Sequence, residues 1–247
     1  ARQDPEQRVL RDDPAVTSLP PFVDDRPRDH AVPEGLHRYR LDIAYLGAGF
    51  AGWQRQANAD TVQAHVEAAL SELVGESVAV VRASRTDAGV HARTQVAHID
   101  LSRPFSAKGL VFGSNHHLPP EIRVLSAALA PAGFHARFSA AAKEYSYCIR
   151  PGRFVPPDLA PFVLAVPDRL DLERLQTATL LLPGRHDFSC FALAGGGHRS
   201  PIRTLFRAAC AGAPPTPPLE TILTPDAIRK DLQALAGDDM QGRQPGT

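Results

Sequence analysis

The sequence predicts an α+β protein: a β-α-β-β-α-β unit of the split, ferredoxin-like plan that RNA-recognition modules also use, followed by a second, incomplete α/β unit. Three observations carry this. Short runs alternate apolar and polar residues, as half-buried strands do. Two longer segments repeat apolar residues at helical spacing. The two patterns succeed one another in β-α-β-β-α-β order between Arg40 and Leu129.

The first strand is expected from Arg40 to Tyr45, with Leu41, Ile43 and Tyr45 on its buried face. Val62, Val66, Leu70 and Leu73 place a helix over Thr61–Val74, and Asp60 with Gln63 has the spacing of a capping box. The Val-rich run Ser77–Arg82 reads as a strand. A turn-rich stretch, Ser84–His91, then leads to a strand over Gln95–Leu101. A helix within Ser106–Asn115 and a strand over Ile122–Leu129 complete the unit.

The second unit begins near Ala141. It has a strand over Glu144–Arg150, an apolar helix over Leu172–Leu182 opened by Asp171, and a strand over Arg203–Cys210. That β-α-β is half a repeat of the first. Ala211–Pro218 is too rich in proline for a core strand and reads as an extended linker. Thr224 and Pro225 then open a short helix with Ile228, Leu232 and Leu235 on one face and Gly237 as its stop. The expected map is a disordered Pro-, Asp- and Arg-rich arm (1–36), a first domain (37–140), a partial second domain (141–210), and a linker with tail (211–247).

A chain of 247 residues is long enough for a sizeable core. Hydrophobic residues at 43% and charged residues at 22% are ordinary globular values. No apolar run approaches the ~18 residues of a membrane span, and no basic-then-apolar segment opens the chain. Cys148, Cys190 and Cys210 form no CxxC pair, so neither a disulfide framework nor a structural zinc is expected, and the cytoplasm is the simplest compartment. The chain starts at Ala1 with its sole Met at position 240, the pattern of a processed chain or a fragment.

The 27 basic and 27 acidic residues cancel overall, but between His37 and Cys210 there are 19 Lys and Arg against 14 Asp and Glu. A basic centre suits a polyanionic partner. Coding bias toward Arg explains it equally well, so charge alone decides nothing. Histidines 91, 98, 116, 117 and 135 form no HxxEH or His-plus-Cys ligand set, and no GxGxxG or GxxxxGK[ST] occurs. No metal and no cofactor is expected, and Gly195–Gly197 reads as a flexible loop.

The densest functional candidate is Arg85-Thr86-Asp87-Ala88-Gly89-Val90-His91, between two expected strands. A carboxylate presented there serves as nucleophile or general base without a cofactor. Arg85 is placed to hold it ionised or to meet a phosphate, and Gly89 permits a positive φ or a close backbone approach. The ordinary alternative is a turn in which Asp87 bonds its own backbone.

SRTDAGVHA (84–92) closely resembles the signature of the tRNA pseudouridine synthase A family, the TruA type. Further matches follow in order: GWQRQ (52–56), TVQAHVEAAL (61–70), FGSNHHLPPEIRV (112–124), FHARFSAAAKEYSY (134–147), LLPGRHDFSCF (181–191) and SPIRT (200–204), covering about 38–209. The resemblance implies the pseudouridine synthase fold and a cofactor-free isomerisation of uridine to pseudouridine in the tRNA anticodon arm, at tRNA positions 38 to 40. It also implies a homodimer that grips tRNA.

On this resemblance Asp87 is the catalytic aspartate, Tyr145 the ring that stacks on the target uracil, and Arg85 the side chain that displaces the base. Arg137, Arg93 and Arg55 are candidate RNA contacts. Each has a rival: Tyr145 as a core strand residue, Arg85 as an ion pair with Asp87, Arg137 as a buttress of the loop. Trp53 reads as packing.

The family continues past its SPIRT-like segment into a strand, a Phe-Leu-x-x-Met-Val-Arg-like helix whose arginine pairs with the catalytic aspartate, and a closing strand. None follows residue 210 here, so an open sheet edge and an uncovered apolar face are expected. Residues 228–247 resemble the start of zinc-dependent aminopeptidases of the M28 kind, without their metal ligands. Beside an active but truncated synthase stand three further readings: a non-catalytic RNA-binding remnant, a chimeric chain, and a peptidase-related fragment.

Overall fold

Strand β1 (His37–Tyr45) alternates Tyr39, Leu41, Ile43 and Tyr45 toward one face, and all four are buried. In the computed structural model, which describes residues 30–167, 169–191 and 200–212, β1 lies inside a four-stranded antiparallel sheet. Its neighbours are β3 (Ala92–Leu101) and β4 (Ile122–Leu129), and the two-residue β2 (Val81–Arg82) pairs on the far side of β3. The order is β2-β3-β1-β4. Helices α1 (Val62–Val74) and α2 (Ala107–His117) are the two helices of this β-α-β-β-α-β succession.

Val62, Val66, Leu70 and Val74 of α1 join Leu41, Ile43, Ile99, Leu101, Leu110 and Ile122 in one core. Each such aliphatic side chain contributes about 1.5–3 kcal/mol by leaving water. The helices approach closely because Gly113 of α2 has no Cβ; one there would meet the methyls of Leu73. Trp53 is fully buried, its ring 5.6 Å from that of Tyr45, which makes it a packing residue.

Three local expectations are corrected. No capping box forms at α1: the N-cap is Thr61, without a side-chain bond. The Val62 and Gln63 amides donate instead to the carbonyls of Gly52 and Trp53, so two of the orphan donors are already satisfied. Asp60 pairs with His65, and Gln63 turns to Glu67. The expected strand Ser77–Arg82 shrinks to its last two residues, because the Val78 and Val80 amides are taken by Ser71 Oγ and Glu67 Oε1. Strand β3 starts at Ala92, three residues early, through an extra residue in its register against β1 between Ala92 and Gln95. The helix expected within Ser106–Asn115 forms with Ser106 as its N-cap, its Oγ accepting from the Gly109 amide, and runs on to His117.

The chain divides into two compact units, 1–168 and 169–247, so Ala141 falls inside the first. In that unit the strand expected over Glu144–Arg150 is reduced to β5 (Ile149–Pro151). Its partner is β6 (Leu164–Val166), parallel and only three residues long, and a strand extends no further than its neighbour. The second unit holds α3 (Leu172–Thr179) and an antiparallel pair, β7 (Gly184–Asp187) and β8 (Ile202–Leu205).

Helix α3 ends at Thr179 rather than Leu182 because the amides of Leu181 and Leu182 close tighter i→i+3 bonds before Pro183. Strand β8 stops five residues short of Cys210, where its four-residue partner stops. No described residue after Ala136 is buried, and Leu180, Leu181, Phe154 and Phe191 are largely exposed. The core is therefore drawn from residues 38–136. The arm to residue 29, the glycine loop, all of the linker but its first two residues, and the tail lie outside the described residues.

Glu67 is buried and accepts from the Val80 amide, the Gln63 amide group and Arg55 at 3.1, 2.8 and 3.1 Å. Glu67→Ala is expected to lower unfolding stability by about 1–3 kcal/mol, since it orphans a buried donor. Glu72→Gln removes only an exposed contact to His117 and should cost less than about 1 kcal/mol. Urea denaturation of both variants checks the contrast.

Candidate active site

Loop 84–91 is held by backbone contacts from the segment that follows β1. The Trp53 amide donates to the Thr86 carbonyl at 3.1 Å, and the Gly89 amide donates to the Phe50 carbonyl at 3.2 Å. Tyr45 Oη and Thr86 Oγ1 are 2.8 Å apart. Gly52, at φ +96°, lets the two backbones meet: a Cβ there would sit 2.7 Å from the Thr86 carbonyl oxygen. Gly47 does the same beside Val90. His91 accepts the Gly47 amide at Nδ1 and donates from Nε2 to the Pro161 carbonyl at 2.6 Å, which fixes its tautomer.

Within this frame Val90 closes a turn onto the Asp87 carbonyl, and Gly89 takes φ +79°. The turn is made by backbone alone. The Asp87 carboxylate is exposed and has no hydrogen-bond or ion-pair partner among the described residues. Neither the side-chain-to-backbone bond nor an ion pair with Arg85 forms. The result is a rigidly based, unengaged carboxylate.

Segment 134–138 (FHARF) is fixed to the sheet by charge and hydrogen bonding. Arg38 forks onto Asp100 with two 2.7 Å bonds across β1 and β3, and its Nη1 donates to the carbonyls of His30 and Phe134. Each partner stabilises the other's charge: Arg38 is held above its ordinary value and Asp100 below. Buried His98 accepts the Ala136 amide at Nδ1, 3.1 Å away. Burial first, then Arg38 and His135, push His98 down to about 4. It is neutral where the bond requires an acceptor.

Arg137 thus sits in a firmly anchored segment, with its own side chain exposed over Phe138 at 5.7 Å. Arg85 is also exposed. Both lie within electrostatic range of Arg82, the end residue of β2, whose charge is disfavoured first by burial and then by these two neighbours. Arg82 Nη2 reaches Gln54 Oε1 at 3.3 Å, and its buried Nε has no partner. Sequence reading missed Arg82; the available signal was an arginine closing an otherwise valine-rich run.

Arg55 is held by Glu67 at 3.1 Å, and Arg93 is exposed within the extra-residue stretch at the start of β3. Tyr145 is 71% exposed, and no hydrogen bond or ring contact ties it to the Asp87 loop. It is not a core residue. Among the described residues no group of three His, Cys, Asp or Glu is arranged to hold a metal ion.

No protein-family model matches the chain. Curated relatives do. It is 43% identical over 181 residues to a tRNA pseudouridine synthase A of Mesorhizobium japonicum, covering 70% of this chain and 71% of the relative. It is 46% identical over 172 residues to that of Methylobacterium nodulans (69% and 67%), and 42% identical over 171 residues to that of Neisseria gonorrhoeae (69% and 64%). The chain spans about two thirds of the length of these relatives.

Gly52→Ala adds a Cβ at a strained φ against the Thr86 carbonyl. It is expected to cost about 1–3 kcal/mol and to speed amide hydrogen exchange at Trp53 and Gly89. The pH response is also defined. The folded state depresses both His98 and Asp100, so in acid the unfolded chain binds more protons and stability falls with falling pH. For His98 the loss runs from pH 6.5 down to about 4 and amounts to about 3 kcal/mol. Urea midpoints from pH 8 to 4 check this, and His98→Gln should flatten the upper part of the curve.

Proposed function

The chain belongs to the tRNA pseudouridine synthase A family, and from that premise we propose that it binds tRNA and isomerises uridine to pseudouridine in the anticodon arm. The observation that carries this reading is the Asp87 carboxylate, exposed and unpartnered on a loop fixed by Gly47, Gly52 and Trp53. The element order and the β2-β3-β1-β4 antiparallel pairing support a ferredoxin-like first domain. The second domain is read as partial, in keeping with exposed apolar side chains after residue 144.

The reaction breaks the bond between ribose C1′ and uracil N1, turns the base, and joins C1′ to C5, releasing the C5 proton. Asp87 serves either by attacking C1′ as uracil leaves or by taking the C2′ proton to give a glycal. A carboxylate without a competing partner is available for both routes. Tyr145, exposed and free of other ring contacts, offers a face to the detached uracil. Arg85 fills the place of the extruded base, which offsets the few kcal/mol that unstacking costs. Arg137 and Arg93, both exposed, are positioned as RNA contacts, whereas Arg55 reaches RNA only by leaving Glu67. The family reading also pairs two copies around tRNA, and three free cysteines accord with a reducing cytoplasm.

A second reading, a non-catalytic RNA-binding remnant, is favoured by the absence of buried residues after Ala136 among those described. One experiment separates the two. Release of tritium from 5-³H-uridine tRNA is expected with the native chain and is expected to fall at least about 10³-fold in Asp87→Ala with RNA binding kept. RNA binding without release by the native chain establishes the remnant.

A further inference from the structure

His91 ends the loop that carries Asp87, and the proposed chemistry gives its ring no role. The half-buried imidazole touches three segments. Its Nδ1 accepts from the Gly47 amide at 3.1 Å, and its Nε2 donates to the Pro161 carbonyl at 2.6 Å, 70 residues along the chain. Its ring lies 5.0 Å from that of Phe162.

The two bonds serve different sides of the proposed site. Gly47 opens the short turn Gly47–Gly49, and Phe50, which closes that turn, accepts the Gly89 amide on its carbonyl at 3.2 Å. The turn gripped by His91 is therefore the one that grips the loop two residues after Asp87. Pro161 stands three residues before Leu164, the first residue of β6, whose amide donates to the Cys148 carbonyl at 2.8 Å. Cys148 follows Tyr145 by three residues. Tyr145 itself makes no hydrogen bond or ring contact with the Asp87 loop among the described residues. A run of bonds through one imidazole joins the two segments instead.

The chemistry gives such a tie something to do. The detached uracil has to rest on one group while C1′ stays at another, and a misplacement of about 1 Å can cost about 10²-fold in rate. An imidazole suits the task because its nitrogens point apart: in the neutral ring one accepts while the other donates. Asparagine reaches the first partner and glutamine the second, but neither reaches both.

We propose that His91 is a positioning residue that holds the Asp87 carboxylate and the Tyr145 ring in register, by bonding the Gly47 turn with one nitrogen and the Pro161 carbonyl with the other. The roles of Asp87 and Tyr145 in this statement rest on the function proposed above.

The test compares the full native chain with His91→Asn, His91→Gln and His91→Ala. Tritium release is followed in single turnovers, with protein in saturating excess over 5-³H-uridine tRNA. The rate constant should fall about tenfold in the Asn and Gln variants, which each keep one bond, and about 10²-fold in Ala. The Kd for tRNA should change by less than about threefold. A merely structural histidine lowers the folded fraction and leaves the rate constant at saturation unmoved. If His91→Ala does not fold, the Asn and Gln variants carry the test.

Amide hydrogen exchange reads the two bonds separately. Exchange at Gly47 and Gly89 should quicken in His91→Gln and stay native in His91→Asn, whereas Leu164 should show the opposite pattern. Native rate constants in the Asn and Gln variants, native exchange at all three amides, or an affinity loss that accounts for the whole effect overturns the proposal. If the native chain binds tRNA and releases no tritium, the catalytic reading fails and exchange decides alone. The opposite patterns at Gly89 and Leu164 then sustain the tie through His91, and native exchange in both variants removes it.

Discussion

The close approach of two backbones at Gly52 is the constraint on which the site depends. Segment 47–53 does three things at once. It ends the central strand, donates the Trp53 amide to the Thr86 carbonyl, and offers the Gly52 and Trp53 carbonyls to the first amides of α1. Any side chain at position 52 would part the segment from the loop, since the space is already filled by the backbone of residues 86–88. Fixing a loop by its main chain leaves its side chains uncommitted. That is why Asp87 and Arg85 face solvent without partners while the turn beneath them is held by the Thr86 carbonyl and the Gly89 and Val90 amides. A carboxylate held by its own hydrogen bonds would be just as rigid but would have to break them to react.

The opposite problem is solved at FHARF. There the chain must lie across a sheet surface, and the anchor is polar: a forked Arg38–Asp100 pair, two backbone carbonyls on Arg38, and a neutral His98 accepting the Ala136 amide. The pair is satisfied on most of its hydrogen-bonding positions, the condition under which a buried ion pair does not destabilise. The same cation helps keep His98 unprotonated. Arg38 therefore supports the segment twice, once by its own bonds and once by preserving an acceptor.

Much of the first unit was legible in its sequence because burial there is one-sided. Leu41, Ile43 and Tyr45 alternate, Val62, Val66 and Leu70 recur at helical spacing, and both periods report a single buried face. The misreadings occur where a neighbour, not the local pattern, decides the backbone. Val78 and Val80 are buried as strand residues should be, yet Ser71 and Glu67 take their amides. Asp60 and Gln63 have capping-box spacing, yet two carbonyls from the 52–53 segment occupy the positions a cap would fill. From Glu144 to Cys148 the alternation is sound, but pairing starts only where β6 begins. The Asp87 loop was visible through its motif; Arg82 was not, because its partial burial and the influence of the sequence-distant Arg137 arise only in the fold.

Overall charge balance conceals what matters for a polyanionic partner. Arg38, Arg40 and Arg55 are each spent on a carboxylate, Asp100, Asp42 and Glu67. Those pairs contribute to the fold or to the surface and present little net field. Arg85, Arg93 and Arg137 are exposed with no carboxylate partner among the described residues, and Arg85 stands two residues before Asp87. A count of arginines treats both groups alike, whereas association with RNA responds only to cations free to exchange their counterions for phosphates. The partition between paired and unpaired arginines gives the basic centre of this chain its physical meaning. One of the unpaired cations, Arg85, lies on the same loop as the unengaged Asp87 carboxylate, two residues before it.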